Sequence, residues 1–196
     1  RPAVHPSAGY SNSLGVNTFR RSMHVSDSEK TIKTGWEGRF YEDFEAGDIY
    51  RSRFGRTVTE ADNQMFTHLT MNTNPLHFDA EYVSGTKWER ILVNSTFTLA
   101  LIVGMSVTDV SENAMANLGW EEVKLPNPVF IGDTLYCETE VLEKRESKSY
   151  PEAGIVRVRS RGVNQDGKVV IDFVRSIMVY KKGKGKVGCG FPEVEL

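Results

Sequence analysis

The stretch from Asn94 to Val107 constrains the fold more than any other part of the chain. Phe97, Leu99, Ala100, Leu101, Ile102, Val103 and Met105 would place apolar side chains on nearly every face of a helix. Asn94-Ser95-Thr96 in front of them is a good capping run. A helix this apolar all round needs protein on every side. Its length favours a helix over a buried strand. It is too short to span a bilayer, and Thr98, Gly104 and Ser106 interrupt it. Downstream the period changes to two: Val156, Val158 and Ser160 alternate with Arg157, Arg159 and Arg161. Asn164-Gln165-Asp166-Gly167 supplies a hairpin turn, and Ile171, Phe173, Ile177 and Val179 alternate with Asp172 and Ser176 on the return. Gly132-Asp133 introduces another long strand, Thr134 to Lys144. Early helices followed by antiparallel strands give an α+β fold, with a sheet wrapped around the apolar helix.

The organisation around this body is simple. No repeat or linker divides it, and 196 residues fit one domain with extensions. The expected divisions are an N-terminal extension over 1–35, the domain over 36–181 and a Gly/Lys-rich tail over 182–196. The chain opens on Arg1 rather than Met, so the expectation is that something upstream has been removed. Before the first acid, Asp27, come Arg1, Arg20, Arg21 and scattered serines, the composition of a mitochondrial transit peptide. An extension draped over the core is the favoured alternative. With 24 basic and 26 acidic residues there is no global attraction to nucleic acid or anionic lipid. Two cysteines, Cys137 and Cys189, make no disulfide scaffold and point to an intracellular protein, cytoplasmic or else in the mitochondrial matrix.

The chemistry concentrates just after a first helix. Thr57-Val58-Thr59-Glu60 caps that helix, which runs to about Leu69, and Pro75 prevents Met71 to Phe78 from continuing it. The resulting loop, Asn72-Thr73-Asn74-Pro75-Leu76-His77-Phe78-Asp79, gathers two amides and an imidazole. Reactive groups favour such loops between rigid elements, and a histidine there suits acid–base work near neutrality. Elsewhere His68 reads as a partly buried surface residue and Cys137 as a small core residue. No zinc-ligand spacing, Gly-x-Ser-x-Gly elbow or phosphate-binding glycine loop is present. The Arg157, Arg159 and Arg161 stripe is an ordinary wet face, a site for phosphate groups or a contact with a second protomer, and Lys181, Lys182, Lys184 and Lys186 are a solvated basic tail or a reach to phosphates.

The loop resembles the hydratase signature of the MaoC-like, R-specific enoyl-CoA hydratases, Asp-x-Asn-Pro-hydrophobic-His-x-Asp. Trp88 to Ser95 is similar to the family's entry into its central helix, and Leu125 to Asp133 to its proline turn and Gly-Asp. Together these cover about Gly38 to Lys181. The resemblance implies a hot-dog fold, a homodimer or higher homo-oligomer, an acyl-CoA substrate, and hydration or dehydration with no metal or other cofactor. It implies catalytic roles for His77 and Asn74. Backbone N–H groups near Ser95 and Thr96 would face the oxyanion, with Asn94 and Ser95 replacing the usual His-Gly.

Asn72 stands where the family has its catalytic Asp, and an amide cannot take a proton from water. Three explanations follow from that substitution: His77 works alone with Asn72 and Asn74 holding water; Asp79, Glu81 or Asp62 substitutes; or the site binds acyl-CoA without turnover. Met71 to Asn74 also resembles a subgroup associated with itaconyl- and mesaconyl-CoA hydration, where Asn72 would donate to a second carboxylate. The resulting expectation is hydration or dehydration of a short, branched or dicarboxylic 2-enoyl-CoA. A hot-dog thioesterase is the enzyme rival, disfavoured because Asn94 to Val107 carries no carboxylate.

Overall fold

The computed structural model describes residues 31, 33 and 35–185. The chain divides into two compact units, Arg1–Gly35 and Trp36–Leu196, and the second contains every element below. The expectations for the Arg- and Ser-bearing stretch before Asp27, for Lys186 and for Cys189 lie outside the described residues.

Helix α1, Glu60–Leu69, begins in a reciprocal cap. Thr59 Oγ1 accepts from the Asp62 N–H at 3.2 Å, and Asp62 Oδ2 accepts from the Thr59 N–H at 2.8 Å. Past its end Met71 takes φ 55°, and the Asn72 N–H donates back to the Thr67 carbonyl at 3.0 Å. The chain then turns through a short 3₁₀ segment, Pro75–His77, into helix α2, Ala80–Ser84, whose N-cap is Asp79. Helix α3, Ser95–Met105, follows Asn94 as its N-cap and ends in a π-helical turn, Val107–Ser111.

Strands β1 (Ile49–Arg51), β2 (Arg56–Thr57), β3 (Ala114–Lys124), β4 (Thr134–Glu146), β5 (Ala153–Asn164) and β6 (Val169–Tyr180) form one antiparallel sheet. Its order is β1-β4-β5-β6-β3, with β2 also on β4. Among the described residues strand β3 pairs only with β6, which leaves its other side an open edge there. The inward face of the sheet carries Leu135, Cys137, Ile171 and Phe173 against Ile102 of α3. A second cluster joins Phe44, Val110, Val156, Val158 and Ile177.

Two expectations need correction, and one left open is narrowed. Within one protomer α3 is not enclosed: Thr96, Ala100, Gly104 and the following Val107 are exposed. Four-residue spacing puts the first three on one face, which the sheet does not reach. His68 is exposed, beside the Phe78 ring with centroids 5.4 Å apart. The arginine stripe is no free cationic surface. Arg159 grips Asp172 with a bond of 2.6 Å, Arg161 reaches Glu138 at 3.2 Å, and Arg157 reaches Glu121 at 2.9 Å. The Arg159 bonds hold the Asp172 carboxyl below the usual carboxylate range. Lys181 and Lys182 are likewise paired, with Glu146 and Asp43.

Strand alternation also sends Arg175 inward, where it is fully buried. Its Nη2 donates to Ser106 Oγ at 2.8 Å, at the C-terminal cap of α3, and to Ser111 Oγ at 3.3 Å. Burial lowers its pKa, while the negative end of the helix dipole favours a cation there.

Candidate active site

The turn chemistry of the 72–79 loop shapes the site. Asn72 Oδ1 accepts from the Asn74 N–H at 3.0 Å, and Asn74 Oδ1 accepts from the Leu76 N–H at 3.1 Å. These Asx bonds, the fixed φ of Pro75, and Asp79 Oδ1 accepting from the Tyr82 N–H at 2.9 Å leave the loop one path. His77 comes to rest half-buried, with Nδ1 3.0 Å from the carbonyl oxygen of Leu92. A carbonyl only accepts, so the proton sits on Nδ1 and a neutral ring carries its lone pair on Nε2.

A cleft of ≈ 390 Å³ opens at this point. Asn74, His77, Ser95, Thr98 and Asn127 are its polar lining. Leu76, Trp88, Leu92 and the proline turn from Leu125 to Val129 make the rest apolar. Three of the six residues singled out from the sequence therefore share one cleft: Asn74, His77 and Ser95. Asn72 lies behind Asn74, joined to its backbone. Asn94 is buried beneath the start of α3, where Oδ1 accepts from the Thr96 N–H at 3.0 Å and the Thr96 hydroxyl at 2.7 Å. That cap occupies the Thr96 N–H. The Ser95 N–H, one residue earlier, has no partner among the described residues and belongs to the positive end of the helix.

Among the described residues no carboxylate lines the cleft. Asp62 is held by Thr59 and by Arg56 at 2.8 Å, Asp79 caps α2, and Glu81 is exposed. Among the described residues no three His, Cys, Asp or Glu side chains are grouped to hold a metal, and no helix is long and apolar enough to cross a membrane.

Sequence reasoning missed Asn63 and Thr67, both fully buried on the inner face of α1. The Asn63 side chain bonds to the backbone of His77, Leu92 and Asn94. Two polar residues four apart on an otherwise unremarkable helix were the only signal.

The sheet, the helix against it and the cleft at that helix's N-terminus define a hot-dog protein. A Mycobacterium tuberculosis protein with a double hotdog fold superposes with TM-score 0.68 at 22% identity, covering 78% of this chain and 47% of its own. A MaoC domain dehydratase from Chloroflexus aurantiacus superposes with TM-score 0.72 at 31% identity, over 84% of this chain and 47% of that one. The MaoC like domain model matches residues 43–163. Mesaconyl-CoA hydratase of Cereibacter sphaeroides is 35% identical over 145 residues, 74% of this chain and 42% of that protein. The chain belongs to the MaoC-like enoyl-CoA hydratase/dehydratase family, and it spans less than half the length of that curated relative.

Proposed function

We propose that this chain adds water to a 2-enoyl-CoA thioester, or removes it from the 3-hydroxyacyl-CoA product, with His77 as the proton-transferring group. The observation that carries the reading is the pairing of the His77 Nδ1–H with the Leu92 carbonyl, in a cleft that also holds the N-terminus of α3. Hydration needs a base for water as its oxygen bonds to C3, a proton for C2, and donors for the thioester oxygen as enolate charge develops. Nε2 of His77 takes the water proton and returns it to C2 on the same face, so the imidazole ends as it began. The Asn74 amide N–H groups orient the water. The Ser95 N–H meets the oxyanion, aided by the helix dipole.

The mesaconyl-CoA for which the Cereibacter sphaeroides relative is named supports a short, branched or dicarboxylic acyl group. With the arginine stripe tied to acids, two cations stack beside the cleft lining: Lys87 on the lining Trp88 at 4.5 Å, and Arg90 at 4.2 Å on Phe130, the neighbour of the lining Val129. Neither has a carboxylate partner among the described residues, and both suit CoA phosphates.

The test follows enoyl absorbance, free thiol and binding with crotonyl-CoA and mesaconyl-CoA. Absorbance should fall without thiol release, and His77→Ala should cost about 10²–10⁴-fold in kcat. Thiol release would mean a thioesterase. Binding without turnover would make this a carrier or assembly protein, the reading that the lack of a carboxylate in the cleft favours. Near-normal turnover by the variant would remove His77 from the mechanism.

A further inference from the structure

Asn63 makes contacts that the proposed chemistry does not use. It points inward from α1 and is fully buried. Its Nδ2 donates to the His77 carbonyl at 2.8 Å and to the Leu92 carbonyl at 3.3 Å, and its Oδ1 accepts from the Asn94 N–H at 2.8 Å. One amide thus holds the backbone of three segments: the loop bearing His77, the approach to α3, and the N-cap of α3. Each is far from Asn63 in sequence, by 14 to 31 residues.

The Leu92 carbonyl links these contacts to the imidazole. It accepts from both Asn63 Nδ2 and His77 Nδ1, using its two lone pairs. Asn63 therefore helps to aim the oxygen that selects the ring's tautomer. The same amide fixes Asn94, hence where α3 starts and where the Ser95 N–H lies. Separating any of the three segments would orphan a buried donor or acceptor.

We propose that Asn63 is a positioning residue that sets two things together: the Nδ1-protonated tautomer of His77, and the placement of His77 relative to the N-terminus of α3. This rests on the hydratase reading for its kinetic consequence only. Thr67, one turn further along α1, is a built-in control. Its Oγ1 accepts from Asn94 Nδ2 at 3.3 Å, so it belongs to the same buried network, but its side chain bonds to neither His77 nor Leu92.

The experiment uses the full chain with Asn63→Asp and Thr67→Val. Asp keeps the shape and an oxygen for the Asn94 N–H, but turns an acceptor toward two carbonyls. Asn63→Ser, too short to reach either carbonyl, takes its place if the Asp variant does not fold. Nitrogen-15 spectra of labelled imidazoles read the tautomer directly. The Asn63 variant should lose the Nδ1–H form of His77 and drop kcat about 10-fold or more, with KM within about threefold, the pattern of a misplaced reacting group. Thr67→Val should melt earlier while keeping the Nδ1-protonated tautomer of His77. An Asn63 variant with the wild-type tautomer, or a Thr67 variant losing that tautomer to the same extent, would overturn the proposal. If the wild-type protein hydrates no ester, the functional reading fails, yet the tautomer comparison still decides the role of Asn63.

Discussion

Asn72 and Asn74 sit two residues apart and use the same device, a side-chain oxygen that accepts from the N–H two positions on. The first bond ties Asn72 to the backbone of Asn74, and the second lets Asn74 start the turn that carries His77. An Asn at 72 is therefore accounted for by the loop's geometry, whatever it does for substrate. Asp would accept the same bond. Asn72→Asp should leave unfolding free energy within about 0.5 kcal/mol of wild type, whereas Asn72→Ala should lose about 0.5–1.5 kcal/mol in urea titrations. Equal losses in the two variants would mean the 3.0 Å bond carries no weight. Local rules of this kind are what made the loop readable. Pro75, the Asx residues and the caps at Thr59, Asp79 and Asn94 act over two or three positions, and each does in the structure what its residue type suggests. The tautomer of His77 was not readable, because its partner Leu92 is fifteen residues away and contributes only a carbonyl.

Among the elements, α3 and α1 depart from amphipathic logic in opposite senses. Helix α3 has no polar face, so its sequence cannot say which side meets the sheet, and the exposed Thr96, Ala100 and Gly104 face stays hidden in a pattern that reads as apolar all round. Helix α1 turns Asn63 and Thr67 inward and leaves Met65 and Leu69 exposed, because its inner face serves hydrogen bonding to the loop and to α3. Arg175 is the strand counterpart, a charged residue at an inward position, which binary patterning alone would place outside. The seat of α3 depends on a missing side chain. A Cβ on Gly162 of β5 would lie 2.7 Å from Ile102 Cγ1 and 2.7 Å from Ile171 Cγ2. These are buried branched side chains with little room to move. Gly162→Ala should destabilise the protein by about 1–3 kcal/mol in urea or thermal unfolding. Because the push acts on Ile102, it should also lower hydration activity by shifting the helix that carries Ser95. Unchanged stability would show that α3 does not depend on this close approach.

At the scale of the whole molecule, the open edge of β3 and the bare face of α3 pose one question. An eleven-residue edge strand with one side unpaired among the described residues and exposed Leu118, Trp120 and Val123 is a template for another strand. Exposed apolar surface on the central helix adds to the area that water covers poorly. The homodimer proposed from the family resemblance would pair two such edges and shield these side chains. An added charge at the middle of β3 opposes that pairing without entering the cleft. Trp120→Lys should therefore shift wild-type dimers toward monomers in sedimentation velocity at micromolar concentration, while circular dichroism stays that of the folded protomer. If the site also needs its partner, hydration activity should fall in step with the dimer fraction and recover as protein concentration is raised. A wild-type protein that sediments as an active monomer would remove the dimer from the mechanism. A Trp120→Lys variant that stays dimeric would move the interface off this edge, leaving the α3 face as the surface to probe with Ala100→Lys.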